Sequence, residues 1–147
     1  MSKLVRMRGA LPLPNVGRDG AVMLFRSSDM MELEAQFGEA WFQEATVRHD
    51  RFDLKWLEAC MRVGAKTGEG KRFDPPLDVD DYDGPVAELS ELILDGLYVA
   101  TFGRLFGEHV QFVTNKMAAL TEPEKAAIAD EANPARPPES PETFSTL

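Results

Sequence analysis

One cysteine, Cys60, is all the sequence has, which excludes an internal disulfide and any zinc site built from the cysteines of one chain. Histidine is nearly as scarce. His49 and His109 lie sixty residues apart, and neither has a nucleophile or ligand pattern around it. No apolar run approaches the ~20 residues needed to cross a bilayer. The N-terminal MSKLVRMRGALPLP carries basic residues without the uninterrupted apolar block of a secretory signal, so a bacterial-type cytoplasm is the expected compartment. Positive charge is in short supply too. Sixteen Lys and Arg against 25 Asp and Glu leave a net charge of −9. Non-specific nucleic-acid binding runs on cations facing phosphates, so this balance argues against it.

What is present is ordinary globular material, 44% hydrophobic and 28% charged. A length of 147 residues suits one domain with a real core, expected over residues 1–120. The charge is uneven. Residues 1–26 carry five basic side chains against one acid, whereas residues 121–147 carry two against six. The basic strip reads as a solvated face or as a contact for an acidic neighbour.

The periodicity predicts an α+β fold that is mostly α. KLVRMRG alternates in strand fashion, AVMLF (21–25) is a compact strand-forming run, and the proline- and glycine-rich stretch between them reads as the loop of a β-hairpin. A helix follows over SDMMELEAQFG. Ser28 or Asp29 can cap it, Asp29 and Glu32 have capping-box spacing, Met30, Leu33 and Phe37 form an apolar stripe, and Gly38 fits the stop. DLKWLEACMRVGAK is a second helix capped by Asp53, with apolar rows on more than one side and Cys60 in one of them, hence a buried, inert thiol. Residues 64–84 read as a loop. Pro85 opens a third helical stretch that keeps its period to Phe112, and VQFVTNKMAAL continues apolar. Thr121 could start one more short helix, making three to four in all, before a disordered, acidic, proline-rich tail.

Gly96, Ala100, Gly103 and Gly107 form a row with almost no side chain. Glycine costs a helix ~1 kcal/mol relative to alanine. The row therefore predicts either a close backbone approach, to this chain or to a second copy, or a break at Gly103 or Gly107. Trp41, Phe42 and Phe52 crowd a segment between helices, as core or as an exposed contact surface.

Catalytic and cofactor motifs fail on inspection. AKTGEGKRF lacks the phosphate loop's first glycine, where Ala65 stands, and its Ser or Thr, where Arg72 stands. Aligning Asp83 and Gly84 with an EF-hand loop puts Val79 and Ser90 where carboxylates are required. Glu32 and Glu34 face different sides of a helix and cannot act as a pair. The expectation is a non-enzymatic protein without cofactor or metal.

The order of the hairpin, MMELEAQFG (Met30–Gly38), DLKWLEACMRVGAK (Asp53–Lys66) and LSELILDGLYVATFG (Leu89–Gly103) resembles the tail assembly chaperones of long-tailed phages and gene transfer agents, over about residues 4–106. The loop from Thr67 to Gly84 and the tail are longer than that pattern needs, and GAKTGEG replaces its small-residue helix end. The resemblance implies a protein of the bacterial host cytoplasm that coats the apolar helices of a tape measure protein, helps recruit tail tube subunits, and is absent from the finished particle. Members of several such families also have a longer, frameshifted product. On this reading Trp41, Phe42 and Phe52 belong to the partner surface, and Gly96, Ala100, Gly103 and Gly107 to self-association in a homo-oligomer. The competing expectation is a small oligomeric adaptor that binds its partner through residues 133–147.

Overall fold

The computed structural model describes residues 8–119. The predicted strand over KLVRMRG, the helix from Thr121 and the C-terminal tail fall wholly or mainly outside that range. The architecture is mostly helical with a small antiparallel sheet. The sheet runs β1 (Leu11–Pro12), β2 (Val22–Met23), β3 (Ala65–Lys66) in that order, with Leu11 opposite Met23 and Val22 opposite Lys66. The hairpin's first strand therefore lies inside the stretch expected to be its loop. Asn15 and Gly17 take left-handed backbone to turn it, and the Leu13 N–H donates to the Ala21 carbonyl. The third strand was not anticipated. Only two residues long, it shows no alternation to detect.

Among the described residues there are five α-helices: α1 (Ser27–Phe37), α2 (Ala45–Asp50) and α3 (Leu54–Gly64) between β2 and β3, then α4 (Val86–Phe102) and α5 (Phe106–Ala118). Asp53 caps α3 by accepting the Trp56 N–H, as its spacing predicts. The core lies where the sheet, α3 and α4 meet. Met23, Trp56, Leu57, Met61, Leu89, Ile93 and Leu97 are all within 1% of full burial. Cys60 is fully buried in it, and desolvation pushes its thiol well above the ordinary value, so the thiol is inert.

Two glycines make this packing possible. A Cβ on Gly64 would sit 2.6 Å from Phe25 Cζ and 2.9 Å from Met23 Sδ, and one on Gly96 3.0 Å from Met23 Cγ. Both helices have cleared room for the same two side chains of the β2 segment. Gly96 thus serves close approach within the chain, not to a second copy. The row it was thought to head is also broken. Gly103 takes φ +75° and ends α4, its N–H donating to the Val99 carbonyl, while Gly107 lies in α5 with open space around it.

Arg26, not Ser28 or Asp29, is the N-cap residue of α1, and Asp29 enters the capping box from the N3 position rather than pairing with Glu32. Asp29 sits in the first turn of α1, accepts the Arg26 N–H at 2.8 Å, and is 2% exposed. Lys66 Nζ, 3% exposed, uses three donors: 2.7 Å to Asp29, 2.6 Å to the Leu24 carbonyl and 2.7 Å to the Val63 carbonyl. Arg72 closes the other side at 2.6 Å and reaches on to Glu32. Burial alone would raise the Asp29 pKa. The donors from Lys66 and Arg72 outweigh it and hold the carboxyl below its ordinary range. This buried cluster ties β3 and the loop after it to α1.

Candidate functional site

The three aromatics singled out in the sequence do not form one surface. Trp41 is buried against Trp56, with ring centroids 6.3 Å apart, which makes it core. Phe52 is 46% exposed on the turn between α2 and α3, at φ +51°. Phe42 is half-buried and leads elsewhere: its ring is 5.3 Å from Tyr98 and 5.9 Å from Phe102.

From Phe42 a row of rings runs outward along α4 and α5. Phe102 stacks on His109 at 4.0 Å and 15°, Tyr98 meets Phe106 edge-on at 4.9 Å, and Phe112 continues beyond His109. The outer members stay exposed, with Phe102 at 40% and Phe112 at 42%. The break at Gly103 creates this arrangement by folding α5 back onto the end of α4. Asp95 holds the joint, accepting the Phe106 N–H at 3.0 Å. Burial raises the Asp95 pKa, and Glu91 and Glu108 add to that.

Helix α5 is unusual within this fold because none of its residues is buried. Phe106, His109, Val113 and Met117 face α4 and are half-covered, while the rest is open. A helix this apolar, held by a partial stack, leaves aromatic area available to something else. Two cations decorate it. The Arg104 guanidinium lies 3.8 Å over the Phe112 ring and Lys116 lies 5.7 Å away. Phe102 also borders a cleft between the start of α1 and the end of α4, lined by Leu24, Phe25, Met30, Val99 and Ala100. Ala100 and Gly103 thus lie along the ridge's edge.

His109 was the residue least expected here. Its sequence neighbours offer it no partner pattern, yet its ring is the central plate of the stack. Burial lowers its pKa, and the cation of Arg104, 3.3 Å from Nδ1, adds to the effect. An NMR titration should place its midpoint below 6.5, the ordinary histidine value, and Arg104→Gln should move it back upward. Because the folded value is depressed, its contribution to stability is present above pH 6.5 and declines as pH falls through the lower folded value. The spacing of Phe102, Phe106, His109 and Phe112 is the sequence signal for this ridge. The break at Gly103, one of the two alternatives the glycine row offers, is what brings these rings together.

His49 and Ser90 are also in contact, Nδ1 to Oγ. Ser90 is 1% exposed, so this pair stitches α2 to α4 and offers no accessible nucleophile. Among the described residues no group of three His, Cys, Asp or Glu side chains is placed to hold a metal ion, and no helix is long and apolar enough to cross a membrane. Comparison with known protein families, curated proteins and solved structures returned no match for this chain.

Proposed function

We propose that this protein is a non-enzymatic assembly chaperone of the phage-tail type, which covers apolar helical surface on a tape measure protein and helps bring tail tube subunits to it in the host cytoplasm. The observation that carries the reading is the ridge from Phe42 through Phe102 to Phe112, mounted on a helix with no buried residue. A holding protein needs repeatable apolar contact area rather than placed acids and bases. Aromatic rings supply that area at low entropic cost, having few rotatable bonds to fix. The resemblance of residues 4–106 to tail assembly chaperones supplies the identity of the cargo. The net charge of −9 keeps a protein with so much open aromatic surface in solution.

The test is a pull-down with the tape measure protein from the same genome. The folded body should capture it at low and moderate salt, and a chain ending at residue 132 should capture it equally. If removing residues 133–147 abolished capture, the adaptor reading would replace this one. Recovery of nothing, even at low salt, would remove the chaperone reading.

A further inference from the structure

We infer that the cleft between the start of α1 and the end of α4 binds an acidic, apolar segment of another polypeptide, taking its carboxylates at the rim and its nonpolar side chains on the floor. Among the described residues the lining holds two arginines, Arg8 and Arg26, and no acid, in a chain with 25 Asp and Glu and a net charge of −9. Both arginines are exposed, and neither has an ion-pair partner among the described residues. Local backbone puts them there. Gly9 takes φ +80° and lies against Leu24, where a Cβ would stand 3.8 Å from Cδ1, and this brings Arg8 to the cleft. Arg26 follows the buried Leu24 and Phe25 directly, as the chain leaves β2 for α1.

Beneath the two cations the floor is nonpolar. Leu24 and Phe25 are buried there, and Met30 and Ala100 are half-buried. An inorganic anion would leave that floor uncovered, and a purely apolar helix would leave the arginines without a partner. The complement to both is a segment with carboxylates beside apolar groups. At about 980 Å³ the cleft is as large as small-molecule sites become, and it is open to solvent rather than enclosed, as a chain segment passing through requires. The site also gives the basic N-terminal strip a use, because two of its five cations are the ones placed here. The cleft meets the aromatic ridge only at Phe102, and the inference does not rest on the tail-chaperone reading.

Fluorescence anisotropy with the full chain tests it. The probe is a synthetic peptide with leucines at i, i+3, i+4 and i+7 and glutamates on either side of them. It should bind saturably, and more weakly as salt rises from ~0.01 to ~0.15 M, which shortens the screening length from ~30 to ~8 Å. Arg8→Glu and Arg26→Glu should each weaken binding at least ~10-fold, because each sets like charges together. Arg18→Glu makes the same charge change outside the cleft lining and should have little effect. All three arginines are exposed, so each variant should keep the wild-type circular dichroism. Exchanging the peptide's glutamates for lysines, or its leucines for serines, should abolish binding. No saturable binding, a loss with Arg18→Glu as large as with the other two, or binding of dodecanoate in place of the peptide would each overturn the inference. Arg26→Glu should still capture tape measure protein, so failure of this site and failure of the ridge are distinguishable.

Discussion

Asp29→Ala should lose about 3–5 kcal/mol of unfolding free energy, because it strands the Lys66 ammonium in a site that is 3% exposed. The two carbonyls that remain around Nζ, from Leu24 and Val63, cannot neutralise a full charge. Arg72 loses its inner partner as well and keeps only Glu32. For a domain whose whole stability is about 5–15 kcal/mol, that loss leaves little in reserve. Replacing both members, Asp29→Leu with Lys66→Met, should recover most of it, since a buried pair often contributes little beyond an apolar equivalent. Urea denaturation of Asp29→Leu, Lys66→Met and their combination gives the coupling directly. A double variant as unstable as the sum of the singles would contradict the pairing. The pH dependence has a definite sign. The folded carboxyl is held low, so its contribution is complete above the ordinary carboxylate value near 4 and fades as pH falls through the lower folded value. The double variant should lack that acid limb.

Trp56→Ala should cost a similar amount, about 3–5 kcal/mol, for a different reason. The ring is 1% exposed and is the hub of the aromatic core, edge-on to Phe37 at 5.1 Å and tilted against Trp41. The Arg48 guanidinium lies over Phe37 and Trp56 while pairing with Glu44 and Asp53. Removing the indole opens a cavity beneath a partly buried cation whose Nε has no partner among the described residues. The surrounding helices cannot collapse into that space without breaking the Arg48 contacts. Trp56→Phe should lose less, and both effects are read from the same denaturation curves.

How much of this was legible beforehand depended on the kind of signal. The apolar stripe of Met30, Leu33 and Phe37, the cap at Asp53 and the double-sided burial of α3 follow from local periodicity and hydrogen-bond chemistry, and the structure has them. What depends on distant partners was not legible. The capping role of Asp29 is local and legible, although from N3 rather than the N-cap position. The burial of Asp29 comes from Lys66 and Arg72, 37 and 43 residues away. Strand β3 is too short to show alternation, and its register is set by β2. The glycine row was a real signal with two physical meanings. Gly96 answers to Met23 and Phe25, and Gly103 to the end of a helix. Trp41 and Phe52 are equally aromatic, and only the position of α3 decides that one is core and the other faces water.

On the function proposed above, the chain works by shielding nonpolar helical surface on another polypeptide. The most direct measurement is the soluble fraction of the tape measure protein when the two are produced together. Wild-type chain should keep most of it in solution, whereas Phe102→Asp and Phe112→Asp, folded by circular dichroism, should let it aggregate as it does alone. A tape measure protein that precipitates equally with and without the wild-type chain, or stays soluble with both aspartate variants, would contradict the claim.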